Sequence, residues 1–296
     1  MKKSYLTNLL LLALIIGLYW FNTADTDKPM VNEMPKLTGL NSNDIHSITI
    51  SRPNTTDIVL EKSTVGWQIT QPIKAVANTI RVELLLSFLN TPSYGQIIVT
   101  KPNELTQFEL APANLVLTLD KLNVKFGGIE PISQHRYVLL NNEVHLITDR
   151  ITPLLHANAA SFIENRLIAK DMLITKLVLP QLNSANTISA ESVTIENSNG
   201  HWQSNLSAIK TDQLTALVQN WQHAYALQVL PQKESTAPST PTHKVQIWFN
   251  NQPSPTEYEL TVSDNALFIT DSKQQLNYQF TLASIAQLLP LQPIKK

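Results

Sequence analysis

The chain has 296 residues, no cysteine, and a net charge of −1 from 22 basic and 23 acidic side chains. That length accommodates one large or two modest domains, each with a core of its own. The missing thiols exclude disulfides, thiolate metal sites, a cysteine nucleophile and a lipid-modified amino-terminal cysteine. Charged residues make up only 15% with no basic excess, which excludes a phosphate-tracking nucleic-acid surface. A hydrophobic content of 43% excludes a disordered chain, and seven glycines weigh against phosphate-cradling loops.

At the amino terminus, Lys2 and Lys3 precede an apolar run over 6–21 that ends in Tyr19, Trp20 and Phe21. Each Leu, Ile or Phe in such a run favours insertion by roughly 0.3 to 0.6 kcal/mol. No small-x-small cleavage site follows, and the aromatic trio suits a headgroup boundary. The expectation is a retained single-pass helix over 1–22, with membrane lipid as its partner. The positive flank places the amino end in the cytoplasm and the bulk of the chain in the periplasm, at a bacterial inner membrane. Residues 23–44 are polar, contain Pro29 and Pro35, and read as a tether.

From Ile45 the apolar period is that of strands: IHSITI, DIVLEKS and GWQITQP form a hairpin-rich opening. ANTIRVELLLSFLNTP then reads as a helix, with Asn78 as cap, Ile80, Leu84, Leu85, Phe88 and Leu89 along one face, and Pro92 as stop. NLVLTL, NVKFGG, RYVLL and EVHLIT are four further strands, closed by a helix beginning near Asp149. After Ala190 the order recurs. ESVTIENSNGHWQSN gives two strands, TDQLTALVQNWQ a helix with Leu214, Leu217, Val218 and Trp221 inward, and KVQIWF, YELTV, ALFIT and NYQFTLASIAQLL more strands ending in a helical stretch. The Trp-Gln pairs at Trp67 and Trp202 stand at matching places before their helices.

The expected fold class is therefore α+β: an N-terminal transmembrane helix, then two tandem diverged β-rich units, each an antiparallel sheet packed by short helices. The boundaries are 45–170 and 171–296, with a Pro/Ser/Thr-rich mobile loop at 231–243.

Chemistry is sparse. His46, His135, His145, His156, His201, His223 and His243 show no i, i+4 pair with an intervening Glu, so no metal site is assigned. No G-x-S-x-G elbow occurs, and Glu61, Glu83, Glu104, Glu109 and Asp120 read as solvated surface. The Gly127–Gly128 pair reads as a hairpin or bulge rather than an anion nest. Tyr94, Tyr137, Tyr225 and Tyr258 suit partial burial without forming a stripe. No catalytic, cofactor-binding or metal residue is assigned, and no cofactor is expected.

The run W-x-I-x-x-P at Trp67, Ile69 and Pro72 leads through Ala75 and Ala77 into a helix. Phe108, Leu110 and Pro112, Tyr137, and Phe162 with Arg166 follow. These residues, over about 45–179, resemble the bacterial family called domain of unknown function 4340. FELAP stands where relatives often have Gly-Leu before the proline segment. The resemblance implies a membrane-anchored envelope protein, often encoded beside ABC-type transporter components of the gliding-motility kind. The functional expectation is a non-enzymatic periplasmic accessory or scaffold that binds an envelope protein such as an ABC-type transporter complex. An envelope enzyme acting on glycan or lipid, or a periplasmic ligand sensor, is the alternative. Nucleic acid and metal are not expected as partners.

Overall fold

The computed structural model describes residues 11–16, 18, 34–183, 187–207, 209–234 and 243–291. Nine strands build the first sheet: β1 (Ser47–Ser51), β2 (Ile58–Ser63), β3 (Gly66–Gln71), β4 (Ala75–Val76), β5 (Gly95–Ile98), β6 (Val116–Leu119), β7 (Leu122–Ile129), β8 (Arg136–Leu140) and β9 (Glu143–Ile147). Helix α1 (Thr79–Leu86) lies between β4 and β5, and α2 (Thr152–Leu155) follows β9. Eight strands build the second sheet: β10 (Ile174–Leu182), β11 (Ile188–Ser198), β12 (His201–Ser204), β13 (Gln228–Pro231), β14 (His243–Phe249), β15 (Thr256–Val262), β16 (Leu267–Asp271) and β17 (Leu276–Phe280). Helix α3 (Thr211–Gln222) precedes β13, and α4 (Ser284–Leu288) follows β17.

The first sheet runs β4-β3-β2-β1-β6-β7-β8-β9-β5, and the second β12-β11-β10-β14-β15-β16-β17-β13. With β4 set aside, the two orders match strand for strand, and α1 and α3 occupy the same step. Neighbouring strands run antiparallel, so short turns suffice; Asn141 and Asn142, both at positive φ, close the β8–β9 hairpin.

The α+β expectation with a transmembrane helix is corrected to a mostly-β fold of two large antiparallel sheets with few helices. The helix expected near Asp149 shrinks to the four residues of α2, and the carboxyl-terminal one to the five of α4. Strands β4, β5, β10 and β13 take up chain that the apolar pattern does not mark as strand. Residues 11–16 are helical, with Leu11, Leu12, Leu14, Ile15 and Ile16 exposed. Among the described residues no helix is long and apolar enough to cross a membrane; most of the expected 1–22 anchor lies outside them. Residues 23–33 of the expected tether, and 235–242 of the expected mobile loop, also lie outside. The chain is first tied to the body at Pro35 and Leu37: Leu37 is buried, its N–H donates to Thr91 O at 2.8 Å, and Ser93 N–H donates to Pro35 O at 2.9 Å.

Period-2 alternation builds the core. Ile48 and Ile50 on β1, Ile58 and Leu60 on β2, and Leu117 and Leu119 on β6 all point one way, and a continuous apolar cluster extends from them into the second sheet. Trp67 and Trp202 pack at the margin of this cluster. On the opposite face of the first sheet, Leu110, Leu139 and Val144 form a small separate cluster with Phe108 and Tyr137.

Helix α1 begins as expected, with Asn78 Oδ1 accepting from Arg81 N–H at 3.1 Å. Its buried side differs: Val82, Leu85 and Leu86 face inward, whereas Ile80 and Leu84 are exposed. The α-helix gives way to a 3-10 turn over Ser87–Asn90, so a single 3.6-residue period does not carry through to Phe88 and Leu89. In α3 the period holds, and Leu214, Leu217, Val218 and Trp221 are buried on one side.

Candidate functional site

The segment joining the sheets borders a chemically mixed recess. Residues 162–167 are bonded on one flank to the first sheet, where Phe162 O accepts from Asn78 N–H at 2.7 Å and Glu164 N–H donates to Val76 O at 2.9 Å. On the other flank, Leu167 N–H donates to Ala224 O at 3.0 Å and Ala226 N–H donates to Asn165 O at 2.9 Å. Beside this segment lies a cleft of about 190 Å³, lined on the second sheet by Tyr258, Asp271 and Tyr278 and on the junction by Glu164 and Arg166.

Strand alternation puts the three second-sheet residues there. Tyr258 on β15, Asp271 on β16 and Tyr278 on β17 share the inward face with Leu260, Ile269 and Leu276. Register relates them to the first sheet. Leu140↔Glu143 closes the β8–β9 hairpin as Asp271↔Leu276 closes β16–β17, so Asp271 stands where the first sheet has Leu140. By the same count Tyr278 stands at the place of His145, and Tyr258 at the place of Val124. The second sheet thus carries three polar groups at positions the period assigns to the core.

The tyrosines are 6% exposed and Asp271 3%. Asp271 Oδ1 accepts from Lys273 and Gln274 backbone N–H at 3.0 Å each, which fixes the carboxylate at the turn. Burial raises the pKa of both phenols, and the negative charge of Asp271 raises each further. They therefore stay protonated at neutral pH and present O–H donors rather than bases. Among the described residues neither hydroxyl has a hydrogen-bond partner. Glu164 Oε1 accepts from Arg166 N–H at 2.9 Å, and the Arg166 guanidinium forms no ion pair among those residues. Donors, acceptors and both signs of charge meet here without being matched to one another.

The residues weighed from the sequence go elsewhere, with two exceptions: Tyr258 and Arg166. His145 is buried on β9 with Nδ1 3.0 Å from Ser93 Oγ; burial lowers its pKa, and nearby Glu143 opposes that only in part. His135 stacks on Tyr94 at 4.2 Å, and His156 and His223 end α2 and α3. Among the described residues no group of three or more His, Cys, Asp or Glu side chains could hold a metal ion. Glu104 accepts from Thr100 N–H at 3.1 Å, and Asp120 from Ser47 N–H at 2.8 Å. Gly127 and Gly128 lie within β7 at a register shift, a bulge rather than a nest. A Cβ on Gly127 would fall 2.2 Å from Phe108 O, which explains the glycine.

Sequence reading misses Asp271, Tyr278 and Glu164. The available signal is a polar residue at an inward period-2 position: LFITD places Asp271 in step with Leu267 and Ile269.

The two edges of the first sheet also differ. Strand β5 ends the sheet opposite β4, and its Ile97 and Ile98 are 36% and 74% exposed. In the second sheet the matching strand, β13, buries Val229 and closes with Pro231, which has no N–H to offer.

No curated protein and no solved structure matches the chain. A family model does, over residues 67–244, a stretch that starts at the Trp67 of the W-x-I-x-x-P run, takes in Arg166 of the cleft and extends to the first strands of the second sheet. The chain belongs to the family described as Domain of unknown function (DUF4340).

Proposed function

We propose that the chain is a non-catalytic accessory protein of the bacterial envelope, with its folded body in the periplasm, that docks a protein partner by strand addition at β5. The carrying observation is the edge of β5, with Ile97 and Ile98 facing solvent where, by register, β13 has the half-buried Leu230 and the terminal Pro231. Natural edge strands are usually shortened, charged or covered, so an exposed Ile-Ile pair on one is a surface suited to an extended apolar segment. The partner class, a component of an ABC-type transporter complex, rests on the family resemblance.

A photo-crosslinking residue at Ile98 in intact cells tests this reading. The expected product is an adduct with a transporter component that disappears on Ile97→Lys. Adducts with abundant bystanders alone, or a pattern indifferent to Ile97→Lys, would overturn it.

A further inference from the structure

We infer that the cleft between the sheets is a binding site for a small zwitterion of the aliphatic amino-acid class, its ammonium on Asp271 and its carboxylate on Arg166. The site lies at the β4 side of the first sheet, away from β5, and does not depend on docking there.

Three observations converge. The first is substitution within a repeated plan: the second sheet replaces Val124, His145 and Leu140 by Tyr258, Tyr278 and Asp271, all at least nine-tenths buried and all on the wall of one recess. Two phenols whose hydroxyls border one cleft without a protein partner among the described residues are suited to a ligand that completes them. The second is charge. Asp271 and Glu164 would repel an anion, and Arg166 would repel a simple cation; a molecule carrying both signs satisfies both sets. The third is size and lining. A cavity of about 150 Å³ holds benzene, so 190 Å³ admits a somewhat larger molecule. Ile163, Leu167, Phe249 and Leu276 supply an apolar wall for its side chain.

Calorimetric titration of the full chain with L-leucine, N-acetyl-L-leucine and L-leucinamide separates the two charges. L-leucine is expected to bind, and each analogue, lacking one charge, to bind about tenfold or more weakly. Arg166→Gln should remove the preference for leucine over leucinamide, and Asp271→Asn that over N-acetyl-leucine. The Asp271→Asn change keeps a side-chain oxygen for the Lys273 and Gln274 N–H groups, and Tyr278→Phe removes a hydroxyl with no protein partner, so both variants should fold. Tyr278→Phe is expected to weaken leucine without altering thermal stability. No heat with leucine, equal binding of the three probes, or leucine binding unchanged by Arg166→Gln and Asp271→Asn would each overturn the inference. None of these results bears on crosslinking at Ile98, so the two readings fail separately.

Discussion

The first and second sheets follow one strand order but fill equivalent positions with different chemistry. Inward, Leu140, Val124 and His145 are answered by Asp271, Tyr258 and Tyr278. Outward, Leu139 and Val144 pack with Leu110 near the 3-10 turn Pro102–Phe108, whereas Thr270 and Asn277 hold those places in the second sheet. Asn277 Oδ1 is buried without a hydrogen-bond partner among the described residues. Topology therefore dictates where a side chain sits, while polarity at that place is free to diverge. The second sheet places its inward polar groups where the junction leaves a cleft, whereas the first sheet keeps Val124 and Leu140 in its apolar core and holds His145 against Ser93.

The strongest way to break the comparison is at the helices. Trp221 anchors α3, fully buried with Nε1 donating to Leu288 O at 2.7 Å, whereas among the described residues α1 has no such link. Trp221→Ala should cost about 3–5 kcal/mol in urea unfolding, through lost burial and an orphaned carbonyl. Truncating exposed Ile80 on α1 should cost far less.

A smaller effect is expected at Gly127, whose counterpart by register is Thr261. Gly127→Ala drives a methyl against Phe108 O and should cost about 1–3 kcal/mol by the same measurement. Thr261→Ala adds no atom there and should cost less.

The smallest effect separates the sheets by pH. Arg136 Nε meets Asp149 Oδ2 at 2.6 Å in the first sheet, where the second has Leu267 in place of the arginine. Burial alone would raise the Asp149 pKa, but bonds from Thr152 N–H and Arg136 outweigh it and hold the carboxyl below its ordinary 3.8. A carboxyl depressed in the folded state contributes stability above its unfolded pKa and loses it as pH falls through the folded one. The urea midpoint should therefore drop below about pH 4, and Asp149→Asn should flatten that dependence.

Strands with clean alternation, such as β1, β6 and β15, are legible in the sequence because one face meets the core and the other meets water. The Asn78 cap and the inward side of α3 are legible for equally local reasons. Strand β5 is not: GQII has no alternation, and pairing with β9 alone makes it a strand. The two-residue β4 is likewise held by its neighbour β3. Helix α1 misleads because its last turn tightens. The cleft is nearly invisible in sequence, since Arg166 and Tyr278 are far apart along the chain and meet only because the joining segment is bonded both to β4 of the first sheet and to the stretch between α3 and β13. Arg166 is reached through the resemblance; Tyr258 stands out as an aromatic, but its polar neighbours do not.

That doubly bonded connector has a mechanical consequence. A chain whose halves are sewn to the same short strip has no slack at the seam, so swinging one half against the other would require tearing main-chain bonds. The molecule should melt in a single step, and cutting it between Phe162 and Leu167 should unravel both parts rather than release two intact ones.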